Sequence, residues 1–216
     1  MRILQRSNIY LRQYGIKNSI KRFFLRVISY FLNIKEDIIL AQSIRKPISS
    51  DSRVKPMRMT DIDGWLDVKS ITNDEYNKFK YFLNKNCTGY FIADDNILAA
   101  WGFVDSRGKY EYGGNYIYTI PHKVHILRNL YVKPEYRGKS YGKMINEARI
   151  SGIPANCTPV GFVIPENRYA IRNLKIYGFE EYLIVRHISW FNRWQIRKIK
   201  ILRKGEMSEL LMEGFL

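Results

Sequence analysis

The chain has little cysteine, a shortage of acidic residues and no long apolar run, and each lack narrows what it can be. Two cysteines occur in 216 residues, Cys87 and Cys157. They have no metal-ligand spacing and no cluster to join, so they read as ordinary buried thiols, and no bound metal is expected. Free thiols suit a reducing compartment, so a cytoplasmic location is expected. The longest apolar stretch, residues 23–34, is broken by Arg26 and is too short to span a bilayer. Polar residues precede it and no small-x-small cleavage pattern follows, so it does not read as a secretory signal. Internal repeats and low-complexity tracts are also missing.

Twenty acidic residues face 36 Lys and Arg, leaving a formal charge of +16. The excess sits at the ends: residues 1–55 hold twelve basic and three acidic side chains, and residues 186–204 hold seven basic and none acidic. Such a field attracts anionic lipid, nucleic acid or a phosphorylated substrate, and says nothing about fold. Nucleic acid is not an expected partner, because no DNA- or RNA-binding motif is visible. In the basic N-terminal part, Ile20, Phe23, Phe24, Val27, Ile28 and Phe31 recur at helical spacing, with Lys21, Arg22 and Arg26 off the stripe. Two readings stand for residues 18–34. One is an interfacial helix on an anionic membrane surface, which would make the protein peripheral to the inner face of the membrane. The other is an extra helix packed on the rest of the chain. Residues 42–55, with Pro47, Ser49, Ser50, Asp51 and Ser52, read as a linker.

Beyond the linker the pattern is mixed. A short strand is expected over 54–60. Helices are expected after Asp61 and Thr72, a hairpin over 88–104 around Asp94-Asp95-Asn96, and a Gly- and Tyr-rich loop over 106–121. Then follow a strand at 124–132, a helix to about residue 150, a strand at 160–164, a helix at 167–177, and strands at 179–190 and 194–202. The fold class is α/β, with a mixed, mostly antiparallel twisted sheet of about six or seven strands flanked by helices. Three parts are expected: a basic helical extension and linker (1–53), the α/β domain (54–204) and a C-terminal helical tail (205–216).

The stretch from Leu130 to Lys143 carries the most chemical information. A strand ends at Val132, and Pro134 cannot continue a ladder because it has no N–H. A turn through Gly138 follows, and a helix starts. The first amides of that helix have no internal partner and carry the positive end of its dipole, so strand, turn and helix make an anion cradle suited to a pyrophosphate. Arg137, Lys139 and Lys143 add positive charge. Two other nucleotide signatures fail. The phosphate loop needs Gly five positions before Gly138, where Lys133 stands, and no G-x-G-x-x-G occurs.

This stretch resembles the acyl-CoA-binding motif of the GNAT family of N-acyltransferases, R/Q-x-x-G-x-G/A after a strand ending V-x-P. Arg137, Gly142 and Val132-Lys133-Pro134 match, and Ser140 stands in place of the middle glycine. Ser has a Cβ, so the turn there should avoid the most Gly-dependent conformations. Asn167-Arg168-Tyr169-Ala170 through Tyr177-Gly178-Phe179 resembles the family's second motif, an N-x-x-A helix ending in Gly-Phe. The resemblance covers residues 54–202. It implies acetyl-CoA as co-substrate, held by the backbone of Leu130 and Val132 at the pantetheine and by Gly138, Lys139, Ser140, Tyr141, Gly142 and Lys143, with Arg137, at the pyrophosphate. Asn167 and Asn173 would be further polar contacts.

It also implies transfer of an acetyl group to a primary amine. The overall look, a basic extension before such a domain, is similar to enzymes that modify amino sugars in surface-polysaccharide synthesis. The acid–base groups depart from the family. Its usual base positions hold Ile126 and Arg128, and its usual leaving-group acid position holds Leu174. His122 and Glu111, just before the strand, are the candidate bases. Tyr177, nearly one helical turn beyond Leu174, is the candidate acid, with a core ring as its other reading. A catalytically inactive CoA-binding module and a protein acetyltransferase are the alternatives. The sequence does not specify an oligomeric state.

Overall fold

The structure, a computed structural model, describes residues 32–43, 48–112, 116–190 and 194–216. Its strands are β1 (Leu32–Gln42), β2 (Lys55–Pro56), β3 (Thr88–Asp94), β4 (Ile97–Asp105), β5 (Lys109–Tyr112), β6 (Tyr116–Thr119), β7 (Val124–Val132), β8 (Thr158–Val163), β9 (Phe179–Trp190) and β10 (Trp194–Ile201). Its helices are α1 (Met59–Asp67), α2 (Asn73–Asn84), α3 (Tyr141–Ser151), α4 (Arg168–Ile176) and α5 (Glu206–Glu213), with a 3-10 turn at Pro134–Tyr136. None of the described helices is long and apolar enough to cross a membrane.

Two compact units emerge from the contacts. In the larger, Asp37–Ile184 with Lys200–Leu216, the sheet runs β9-β1-β8-β7-β4-β3-β2. β7 and β8 pair in parallel, while β1–β8, β2–β3, β3–β4 and β4–β7 are antiparallel. β5 and β6 form a separate hairpin. In the smaller unit, Met1–Glu36 with Val185–Ile199, the described residues are the start of β1, the end of β9 and most of β10, tied by an Arg186–Glu36 ion pair at 2.5 Å.

The mixed, mostly antiparallel sheet is as expected, but two elements are new. β1 holds Leu32–Ile34, which the helical reading of 18–34 had included, and the rest of that stripe lies outside the described residues. β1 also breaches the boundary set at residue 53, since Ile38–Ala41 pair with Val160–Val163 inside the sheet. Its run Ile38-Ile39-Leu40-Ala41 is buried throughout, as befits a central strand covered on both faces, and so shows none of the alternation that marks a half-buried one. The expected loop at 106–121 contains the β5–β6 hairpin. The expected strand at 54–60 shrinks to two residues, and α1 starts at Met59, where Asp61 accepts the Arg58 N–H at 2.7 Å from inside the first turn. α2 begins as read, with Thr72 and Glu75 capping each other's backbone N–H at 3.2 and 2.9 Å.

Alternation along β4 assigns the two faces of the sheet. Trp101 and Phe103 meet Phe79 of α2, with ring centroids 5.2 and 5.7 Å apart. Ala100, Gly102 and Val104 point the other way, toward α3. There Gly102 is needed for its lack of bulk, because a Cβ would come within 2.9 Å of Ile145 and of Arg149. Ile38, Leu40, Leu127 and Val163 pack on the same side against Leu174, Tyr177 and Phe179, in and just beyond α4. On the α2 side, Phe162 contacts Tyr110 and Tyr118 of the hairpin, and Tyr118 in turn donates to the Leu211 carbonyl of α5 at 3.0 Å.

Candidate active site

β7 and β8 run together only at their starts. Their register covers Val124↔Thr158 to Leu127↔Gly161, and β7 then continues to Val132 without that neighbour. The opening coincides with a bulge on the other side of β7. The β4 register steps from Trp101↔Tyr131 to Phe103↔Arg128, so Asn129 and Leu130 together face Gly102, and Asn129 takes φ +53°. Bulges of this kind re-aim a strand and its backbone groups.

Two cavities lie along the opening. One, of about 700 Å³, is lined by Leu130 and Val132 of β7, by Arg137, Gly138 and Ser140 of the turn, and by Tyr141, Gly142 and Lys143 of α3. The other, of about 280 Å³, reaches between β7 and β8. They share Leu130, Asn167, Ala170 and Asn173, so they adjoin. Of the residues expected to hold a nucleotide, all but one line the larger cavity. Lys139 instead turns to Asp94, 3.1 Å away, and over the ring of Tyr136.

The larger cavity is lined by groups that suit an anion. The first backbone bond within α3 runs from the Met144 N–H to the Ser140 carbonyl at 3.1 Å. The N–H groups of Tyr141, Gly142 and Lys143 precede it and have no i−4 acceptor, and they carry the positive end of the helix. Gly138 makes the turn possible at φ +86°. Ser140 takes φ 61° and ψ 13°, the left-handed well that L residues reach at a cost of about 1–2 kcal/mol, so Ser tolerates the turn rather than favouring it. Arg137 Nε sits 3.4 Å from the Val132 carbonyl, and the Asn167 side chain caps α4 by accepting the Ala170 N–H at 3.1 Å.

The smaller cavity is polar. Arg149 of α3, 3% exposed, donates from Nη1 to the carbonyls of Arg128 (3.1 Å) and Phe103 (3.4 Å), which flank the bulge. Its Nη2 bonds Asn146 Oδ1. The guanidinium thus replaces ladder bonds that the bulge removes. Burial pulls its pKa down to about 9, since no carboxylate among the described residues pairs with it. Arg128, by contrast, pairs with the buried Asp105 at 2.6 Å, and its guanidinium lies over the rings of Phe82 and Tyr110 at 4.3 and 4.8 Å. That network explains why a basic residue occupies the site where a base was sought: Arg128 is a wall of the cavity. Ile126, at the other such site, is fully buried.

The sequence matches the model of the acetyltransferase (GNAT) family over residues 56–179. The chain belongs to the GNAT family. Among solved structures, a protein described as a GNAT-family acetyltransferase from Novosphingobium aromaticivorans superimposes with a TM-score of 0.55 at 16% identity, over 71% of this chain and 63% of that one. A Drosophila protein matches with a TM-score of 0.50 at 16% identity, over 81% of this chain and 57% of that one. An aminoglycoside N-acetyltransferase in complex with CoA scores 0.42 at 18% identity, over 59% of this chain and 91% of that one. This GNAT chain therefore spans less than two thirds of the first two. No curated protein matches it.

None of the three acid–base residues read from the sequence lines either cavity. Glu111, on β5, is exposed and lies 3.5 Å from both the Tyr81 hydroxyl and Lys85 Nζ. His122 is exposed in the turn before β7. The Tyr177 hydroxyl reaches the Lys143 carbonyl at 3.4 Å, the ring is packed with Leu174 and Phe179, and burial pushes its pKa up to about 12. That is the geometry of its other reading, a core ring. Leu174, at the family's usual acid position, does line the smaller cavity, as does Asp37 of β1. Asp37 escaped the sequence reading because its strand was assigned to the extension. The signal available was the acidic pair Glu36-Asp37 at the head of an apolar run.

Proposed function

We propose that the protein is an N-acetyltransferase that moves an acetyl group from acetyl-CoA to the primary amine of a small molecule, an amino sugar being the acceptor class suggested by sequence. The observation that carries this is the pair of adjoining cavities, one ending on unpaired helix amides and the other on a polar interior, joined at Leu130. Acetyl-CoA fits this arrangement. The α3 amides and Arg137 suit its pyrophosphate. The side of β7 facing away from β4 suits the amides of pantetheine, which would add to it like a strand. The thioester would then lie beside the Asn129–Leu130 bulge. A backbone N–H there can steady the charge that forms on the carbonyl oxygen as the amine attacks, an effect usually worth about 3–4 kcal/mol for one such donor. Arg149 holds that bulge from behind and adds a fixed positive charge at its back.

The experiment is a panel of amines, amino sugars included, incubated with acetyl-CoA while released thiol is measured. Saturable release with at least one amine supports the proposal, and acetyl-CoA binding without release from any of them supports an inactive binding module instead. Docking on anionic lipid through residues 18–34 remains a separate expectation from the sequence pattern, with residues 32–34 removed from it. Absence of pelleting with anionic vesicles at low salt would end it.

A further inference from the structure

The acceptor amine poses a chemical demand that the residues read from the sequence leave unmet. Near neutrality an alkyl amine is mostly an ammonium ion, and it must lose a proton before its lone pair can attack. A group able to take that proton has to border the space beside Leu130.

Asp37 meets this requirement by position. It is 7% exposed and supplies the one carboxylate among the described residues lining the smaller cavity. The β1–β8 register fixes the side of the sheet from which it approaches. Ile38 pairs with Val163 and Ile39 with Phe162. Ile38 and Val163 pack toward α4, while Phe162 faces Tyr110 and Tyr118 of the β5–β6 hairpin. Side chains alternate along a strand, so Asp37 shares the face of Ile39 and Phe162, opposite α3 and α4. The smaller cavity nevertheless also borders Asn146 and Arg149 of α3 and Asn173 of α4. It therefore passes through the gap between β7 and β8. The helices that suit acetyl-CoA stand at one end, and Asp37 stands at the other. With the donor on the helix side of the gap, the Asp37 side is the face left for the amine.

We propose that Asp37 is the proton acceptor for the incoming amine, on the face of the sheet opposite the nucleotide; this rests on the acetyltransferase reading above. The ammonium gives one proton to the Asp37 carboxylate. The freed lone pair forms the C–N bond at the thioester carbonyl, the C–S bond breaks, and the thiolate takes the second proton from nitrogen. Net products are the amide, the free thiol and one proton, which Asp37 returns to solvent. Arg149 lines the same cavity with no carboxylate partner among the described residues, so its positive charge disfavours an ammonium ion held beside it. The other charged or titratable groups nearby are Asp105 behind Arg128 and Tyr110 against Phe162.

The test compares Asp37→Asn with wild type on two amines at pH 7. Propylamine is protonated there and needs a base, whereas methoxyamine is already neutral and does not. The expected result is a roughly 100-fold or greater fall in turnover of propylamine, with the methoxyamine rate within about threefold and acetyl-CoA affinity by calorimetry unchanged. The variant's rate on propylamine should climb with pH as free amine accumulates. Asp37→Glu should recover part of the loss. The ratio of the two rates does not depend on how much of the variant is folded, so a destabilised sample still decides the matter. An unchanged ratio would overturn the role of Asp37 even if both rates fell. Failure of wild type to release thiol with either of these amines or any in the panel would instead overturn the acetyltransferase reading.

Discussion

Replacing Gly142 by Asp should weaken acetyl-CoA binding while leaving the fold as stable as before or slightly more so. The position allows a clean substitution. Gly142 has an ordinary helical φ, and the nearest atom to a Cβ placed there would be Val132 Cγ2 at 3.4 Å, an ordinary contact. A carboxylate in the first turn of α3 interacts favourably with the helix dipole, by about 0.3–1 kcal/mol. The same carboxylate would stand roughly 5 Å from a pyrophosphate seated on the amides of Tyr141 to Lys143. At that separation the repulsion per phosphate charge is about 0.8 kcal/mol in water and about 3 kcal/mol at an effective dielectric of 20. The larger cavity is open to solvent on one side, so a loss of about 1–3 kcal/mol is expected, or roughly 5- to 150-fold in Kd. Calorimetry gives the affinity and a thermal melt gives the stability. Gly142→Asn is the control, because it has the same size and no charge. It should bind nearly as well as wild type, and the defect of Gly142→Asp should shrink in high salt. If Asn and Asp weaken binding equally, the effect is steric and the anion site is misplaced. Equal affinity for all three proteins would refute it outright.

Ser140→Gly should raise the melting temperature, by up to about 1 kcal/mol of stability, because it relieves the left-handed backbone at φ 61°. Tyr177→Phe should cost no more than about 1 kcal/mol of stability and leave kcat within twofold; a tenfold fall would restore Tyr177 as the leaving-group acid. Asp105→Ala should destabilise the fold by about 3–5 kcal/mol in denaturant unfolding, since it strands the buried Arg128 charge. Of the two thiols, Cys157 alone should react with a thiol reagent in the folded state, because burial pushes Cys87 up to about 12.

The residues of the proposed nucleotide side could be brought together from the sequence because they are local. Val132, Pro134, Gly138 and the start of α3 are consecutive, and strand, turn and helix N-terminus each follow from residue types a few positions apart. The acceptor side could not be read in the same way. It is assembled from β1, β8 and the bulge of β7, with Arg149 of α3, whose proximity is a product of sheet order rather than of spacing. The bulge has a weak local sign at best, an Asn in left-handed conformation inside an apolar strand. Arg149 reads as a surface residue on α3 until Gly102, on a strand some fifty residues earlier, is seen to make room for it. Tyr177 misled for a related reason. Helical spacing placed it one turn beyond Leu174, but α4 ends at Ile176, and Tyr177 as its C-cap turns into the core.

The position of β1 between β8 and β9 also determines which shortened versions of the chain can exist. The family match begins at residue 56, which invites an expression boundary near there. A fragment starting at that point would lack an interior strand. It would leave the flanks of β8 and β9 as unpaired edges, rows of N–H and C=O groups that recruit other chains. It would also expose the apolar side chains of Val163, Leu174 and Phe179, which Ile38 and Leu40 otherwise cover. Such a fragment should be insoluble, and adding a synthetic peptide spanning residues 32–43 during refolding should rescue it, as strand complementation rescues other sheets with a missing member.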